Sequence, residues 1–269
     1  VLAPQIYFAK ENRVNIATNG GKGGISSINV GGNFISQGDS FINSNGSVYA
    51  KGDIIVENNS EIKNENLKEV KGGISSGGNI SLNTSGNIDI IGGNIEGKKE
   101  VEIVADKDIN VVGSKISSKN IKLRSDGNLN IKNIYEVNSE ASYNYGNYEA
   151  MNTTGSSAIS KGTSIEGGNI DITGKNVNIT GSDIVTKDEK GSGIINISAA
   201  DNVNIENSKD LYHSQSNGYK TRVEKGLLKI TSESKDENLS LAKESKIDAV
   251  GTLNITSGKN MVLKGSNIS

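Results

Sequence analysis

Cysteine and tryptophan are absent from the chain, and proline and histidine occur once each. Without cysteine there can be no disulfide, no thiolate zinc site and no thiol nucleophile. A single histidine, His213, leaves a Cys/His metal site out of reach. A Ser-His-Asp triad would need His213 oriented by a buried carboxylate beside an activated serine, and no nucleophile motif accompanies it. His213 therefore reads as a solvent-exposed residue, and no catalytic, metal or cofactor-binding residue is expected. Aromatic residues make up 4% and hydrophobic residues 33%, where globular chains hold close to half. An ordinary globular core of this size is excluded. No apolar run reaches the roughly 18 residues of a membrane span. The net charge of −2 and pI near 5.7 supply no basic surface for nucleic acid or anionic lipid. No signal peptide is evident and the chain starts at Val1, which reads as an excised fragment.

Low hydrophobicity does not mean disorder here. The chain has 35 Ile, 36 Asn and 33 Gly. Disordered chains have fewer aliphatics and more net charge. Abundant β-branched residues with Asn and Gly between them predict many short strands joined by turns.

The chain also repeats itself. Gly86-Asn87-Ile88-Asp89-Ile90 aligns with Lys107-Asp108-Ile109-Asn110-Val111, and Gly127-Asn128-Leu129-Asn130-Ile131 follows at the same step. Ile80-Ser81-Leu82, Val101-Glu102-Ile103 and Ile121-Lys122-Leu123 keep that step. The pattern returns at Val177-Asn178-Ile179, Val203-Asn204-Ile205 and Leu253-Asn254-Ile255. Each unit reads as two alternating strands per turn of about 20 residues. A short alternating strand buries one face only, and one turn cannot hide that face by itself. Stacked turns can, because each lays an aliphatic layer on its neighbour. Ile80, Leu82, Ile88, Ile90, Val101, Ile103, Ile109 and Val111 are expected to point inward; Ser81, Asp89, Glu102 and Asn110 face water. Asn at equivalent turn positions can form hydrogen-bonded ladders. The expected fold is all-β: a right-handed parallel β-helix, one solenoid segment over residues 1–269. Gly73-Ile74-Ser75 reads as a turn.

The period breaks at residues 134–163 and 208–238, each time after the same place in the unit. Both breaks are expected to project as hairpins or loops, each around a central glycine stretch, Thr154-Gly155-Ser156 and Asn217-Gly218-Tyr219. Residues 187–192 read as a smaller exposed loop, and Gly20-Gly21-Lys22-Gly23-Gly24 as turns or a loop. The breaks concentrate the aromatics that the repeats lack: Tyr135, Tyr143, Tyr145, Tyr148, Tyr212 and Tyr219. These tyrosines form the candidate interaction surface, since Tyr offers a large amphipathic contact at small entropy cost. They could equally pack the hairpins back on the repeats. The hairpins could lie side by side as a lateral sheet. Glu140-Ala141-Ser142-Tyr143-Asn144-Tyr145 gives no clear apolar face for lipid. Asp106, Asp108 and Asp126 are the candidate carboxylates for a polysaccharide-cutting site, and they occupy turn positions where Asp serves the backbone.

Gly86–Ile95 and the stretch Gly174-Lys175-Asn176-Val177-Asn178-Ile179-Thr180-Gly181-Ser182-Asp183-Ile184 resemble the haemagglutinin repeats of filamentous haemagglutinin-type exoproteins. The insertion Ser208–Ser216 resembles polar interruptions in the later repeat block of such proteins, while Leu2-Ala3-Pro4-Gln5-Ile6-Tyr7-Phe8 and Val70-Lys71-Gly72-Gly73-Ile74-Ser75 are similar to segments of contact-dependent growth inhibition exoproteins. The resemblance covers nearly the whole chain. It implies a non-enzymatic segment of a two-partner secretion exoprotein, secreted to the cell surface of a Gram-negative bacterium through an outer-membrane secretion partner. It further implies a filament that stacks end to end and supports toxin delivery or target contact, at the target outer membrane or a surface receptor. An adhesin binding host glycans or proteins is the other reading of the same repeats.

Overall fold

The computed structural model describes residues 6–8, 13–17, 27–66, 72–146, 149–187 and 191–269. The chain divides into two compact units. Val1–Ile134, Gly162–Asn207 and Glu244–Ser269 make the first; Tyr135–Lys161 and Ser208–Lys243 make the second.

The first unit is a parallel β-helix. Its strands pair in parallel, rung on rung: Ile80 lies on Val101, and Val101 on Ile121. The aliphatic side chains predicted to point inward do so. Ile80, Leu82, Ile88, Ile90, Val101, Ile103, Ile109 and Val111 are all buried. Each rung, however, carries three strands rather than two. One column runs through Ile54, Ile80, Val101, Ile121, Ile170 and Ile195. A second runs through Ile62, Ile88, Ile109, Leu129, Val177 and Val203. The third runs through Ile74, Ile95, Ile116, Ile165, Ile184 and Ile247. This third column corrects the reading of Gly73-Ile74-Ser75 as a turn. Its strands, such as Gly73–Ser76 and Asn94–Gly97, have one buried isoleucine each. A single apolar residue between Gly and polar neighbours shows no period, so the stretch imitates a turn until rungs stack on it. Aromatics are not confined to the breaks either: Phe34 and Phe41 are buried in the solenoid and meet edge to face at 6.0 Å.

Asparagine ladders run along the outward side of the second column. Asn110 Nδ2 donates to Asp89 Oδ1 at 2.7 Å, Asn130 to Asn110 at 2.9 Å, Asn178 to Asn130 at 2.9 Å and Asn204 to Asn178 at 2.9 Å. A second ladder joins Asn128, Asn176, Asn202 and Asn260. An amide both donates and accepts, so one residue type can chain through every rung. Asp89 only accepts, and the ladder's hydrogen bonds end on it.

The corner between the second and third columns is held by buried hydroxyls. Ser114, Thr163, Ser182 and Ser245 occupy it in successive rungs. Each hydroxyl meets a main-chain carbonyl, as Ser182 Oγ does at Thr180 O and Thr163 Oγ1 at Lys132 O. Thr163, Ser182 and Ser245 also accept the backbone N–H of the hydroxyl residue one rung back: Ser114 N to Thr163, Thr163 N to Ser182 and Ser182 N to Ser245. Where the chain turns this corner directly, the preceding residue is a left-handed glycine: Gly113 at φ 56, Gly181 at φ 51, Gly265 at φ 56. Asn133 and Asn207 hold that place where the chain leaves the solenoid for the second unit. Their backbone N–H groups still bond the next rung, at Thr180 O and Lys264 O.

The second unit is a four-stranded antiparallel sheet in the order Ile134–Tyr145, Glu149–Lys161, Ser208–Glu224, Leu227–Lys243. The two insertions thus form two hairpins sharing one sheet, joined between Glu149↔Lys220 and Ala158↔Leu211. The second extends to Lys243, five residues past the end expected from the repeat pattern. Leu239-Ser240-Leu241 alternates like a rung, but it pairs with Ser208–Glu224 instead. The turns also lie elsewhere than the glycine stretches. Gly155 and Gly218 stand mid-strand. The second hairpin turns at Lys225-Gly226, whose φ values of 52 and 80 are those of a two-residue type I′ turn. The first closes with Gly146 N donating to Glu149 O at 2.7 Å. Gly218 is needed for close approach: a Cβ there would stand 2.6 Å from Ala150 O. Ser160 Oγ and Ser208 Oγ, both buried, meet at 2.6 Å, and Asp210 accepts the N–H of Ser160 at 2.7 Å.

Candidate interaction surface

Side chains alternate across a strand, and the register of the four strands adds these alternations into two unlike faces. On one face Ala158 stands beside Leu211 and Ser240, Ser156 beside His213 and Asn238, and Asn152 beside Asn217 and Ser234. Val137 lines a concavity with Ala158, Leu211 and His213, which places it on this face. Tyr135 and Tyr143 share its side of the strand by alternation. Within the paired stretches the charged residues of this face are Lys209 and Asp236. The remainder is His213, Ser, Thr, Asn, Gln, Tyr and aliphatic residues.

The opposite face carries the charge. Glu149 lies opposite Lys220, and Lys235 is flanked along its strand by Glu233 and Glu237. Ion pairs lace it: Lys220 with Glu233 at 3.4 Å, Lys235 with Glu237 at 2.6 Å, Arg222 with Glu224 at 3.1 Å and Lys161 with Glu136 at 3.5 Å. A concavity of about 850 Å³ on this side is lined by Asn138, Glu140, Ser157, Tyr212, Ser214 and Glu237 among others.

The candidate tyrosines divide between these faces. Tyr135, Tyr143 and Tyr219 lie on the neutral face, at 45%, 61% and 50% exposure, so their rings are open to solvent. Tyr212 lies on the charged face beside Leu239. The backbone of Tyr145 ends its strand, but its side chain lies outside the described residues, as does Tyr148 entirely. The neutral face is not a lipid-type apolar face, because Asn152, Thr154, Gln215 and Asn217 cross its middle. Glu140–Tyr145 alone does not reveal this face. Its odd positions, Ala141 and Tyr143, gain meaning only when three further strands place uncharged residues beside them. His213 Nδ1 lies 2.9 Å from Asn238 Oδ1 and 3.5 Å from Asp236, on an open sheet surface.

Of the solenoid carboxylates, Asp108 serves the backbone, while Asp126 and Glu166 pair with cationic side chains. Asp108 Oδ1 accepts the N–H of Asn128 at 2.7 Å, and Asp126 pairs with Arg124 at 3.2 Å. Glu166 holds two cations, Lys187 at 2.6 Å and Lys115 at 3.2 Å. The Lys187 hydrogen bond, with Lys115 behind it, keeps its carboxyl below the usual glutamate range. The N-terminal stretch Leu2–Gln5, Gly20–Gly24, Val70-Lys71 and residues 188–190 lie outside the described residues.

No curated protein and no solved structure matches the chain. The hemagglutinin repeat family matches it over residues 55–111, 93–148 and 141–269, which takes in both insertions. This repeat is a structural, non-enzymatic type found in secreted or cell-surface proteins. The repeating rungs and the family match agree: the chain belongs to the hemagglutinin repeat family, as a filamentous haemagglutinin-type repeat region.

Proposed function

We propose that this chain is the structural and contact-making segment of a two-partner secretion exoprotein of a Gram-negative bacterium. The solenoid supplies the stiff spacer, and the antiparallel sheet supplies the contact. Its task is to support toxin delivery to a target cell, by associating with the target's outer membrane or a surface receptor. The parent protein reaches the surface through an outer-membrane secretion partner. Further rungs of the same filament cover the aliphatic positions Met261 and Leu263, which are 42% and 51% exposed here.

The observation that carries this reading is the neutral face. A surface with three accessible tyrosines and almost no charge is built for contact rather than for solubility. An adhesin that binds host glycans or proteins is the second reading, favoured by the amides and hydroxyls between those rings. Binding to Gram-negative outer-membrane vesicles tests the proposal. The chain is compared with its Tyr143→Ser/Tyr219→Ser variant and with a form lacking residues 135–161 and 208–243. Circular dichroism checks that the β structure persists. Binding should fall at least about tenfold in the tyrosine variant, as when interface aromatics are removed, and vanish in the deletion. Equal binding by all three would move the activity to the solenoid.

A further inference from the structure

The Leu227–Lys243 strand is one edge of the sheet, and all 17 of its residues are exposed. Natural sheets blunt such edges with charged side chains, proline, bulges or brevity; this edge carries charges, but of both signs. This strand has no proline, and its register against Ser208–Glu224 runs unbroken from Ser208↔Lys243 to Glu224↔Leu227. We propose that this edge pairs with the same edge of a second copy of the chain, antiparallel and centred on Ser234.

The hydrogen-bonding phase permits this centre. In a two-residue hairpin the residues flanking the turn exchange both hydrogen bonds. Here these are Glu224 and Leu227. The even-numbered residues from Leu228 to Ala242 therefore direct N–H and C=O outward. Ser234 is one of them, so two copies can exchange both bonds there.

Charge then selects the register. With Ser234 on the two-fold axis, Glu233 of each copy faces Lys235 of the other, twice by symmetry. Leu227 faces Leu241, Lys229 faces Leu239 and Asp236 faces Ser232. No like charges oppose each other. Centring on Ser232 would set Lys229 against Lys235. Glu233, Lys235 or Asp236 at the centre would each face itself. Centring on Asn238 shortens the paired stretch by four residues. Like charges directly opposite are destabilising and unlike ones favourable, so the Ser234 register wins. An isologous pair of this kind closes on itself and makes a dimer, not a fibre. This inference goes beyond the proposed contact with a target cell and does not depend on it.

Sedimentation velocity of the whole chain across a dilution series tests it. A monomer–dimer equilibrium is expected. Glu233→Lys and Lys235→Glu should each weaken it about tenfold, since both symmetric pairs become repulsive. The double variant restores opposite charges and should restore association. The chain has no cysteine, so Ser234→Cys gives a clean second readout. It should form an intermolecular disulfide under mild oxidation much faster than Asn238→Cys. A monomer at every concentration, rings larger than dimers, no rescue by the double variant, or equal cross-linking at 234 and 238 would each overturn the proposal.

Discussion

Thr163→Val removes one hydroxyl from the corner column of the solenoid and leaves the side-chain outline nearly unchanged. Thr163 is 1% exposed. Its Oγ1 donates toward Lys132 O at 2.7 Å, with Val111 O also in reach at 3.1 Å, and accepts the N–H of Ser114 at 3.4 Å. Water cannot replace these partners in a buried corner. Leaving a buried polar group unpaired costs about 1–3 kcal/mol. The Ser114 contact is long, so the carbonyl side carries most of the loss, and about 2 kcal/mol is expected. Thr163→Ser is the control. Serine fills the same place in other rungs, so the hydroxyl network survives and only a methyl is lost, at about 1 kcal/mol. Urea unfolding followed by circular dichroism at fixed pH measures both variants against the parent. The expected order is parent, then Thr163→Ser, then Thr163→Val. A Thr163→Val protein as stable as Thr163→Ser, or more so, would refute the claim that the hydroxyl column holds this corner.

Other perturbations probe separate parts of the same argument. Asn130→Ala breaks the ladder both above and below, but its neighbours are only partly buried, so about 1 kcal/mol is expected in urea unfolding. Gly113→Ala meets a left-handed backbone at φ 56 and would bring a Cβ to 2.3 Å from Ile134 Cγ2. The strain of about 1–2 kcal/mol plus this overlap should lower the thermal midpoint more than Asn130→Ala does. Glu166 has a depressed folded pKa because Lys187, and then Lys115, bond its carboxylate. Its stabilising effect is therefore present above the unfolded glutamate pKa and lost as pH falls through the folded value. Unfolding midpoints of the parent and Glu166→Gln should differ at neutral pH and converge in acid; a constant gap would disprove the coupling.

Much of the solenoid was legible along the chain because its information is local. A strand such as Ile80-Ser81-Leu82 declares its buried face by alternation. The recurrence of that strand some 20 residues later, without intervening helix pattern, requires parallel stacking. Asparagine ladders were expected at the turns, but Asn110, Asn130 and Asn178 form theirs within strands, where stacked rungs bring their outward amides together. The places where the chain leaves the solenoid were also written down, as Asn133 and Asn207 standing where Gly113 and Gly181 stand in other rungs. That signal marks the starts of both insertions, where the strands Ile134–Tyr145 and Ser208–Glu224 begin.

Other features rest on contacts between residues far apart, and only the tertiary structure decided them. The third strand column was one, because Ile74 alone carries no period and becomes a strand only with Ile95 stacked on it. The end of the second hairpin was another. Leu239-Ser240-Leu241 suits either a rung or a hairpin, and pairing with Asp210, Leu211 and Tyr212 settles it. The neutral face depends most on the fold. Each strand shows only which of its residues alternate, not which side meets which. Four strands drawn from two insertions had to be set in register before Tyr143 and Tyr219 could share one uncharged surface. Local alternation specifies faces, whereas pairing over long sequence separations specifies which faces add up.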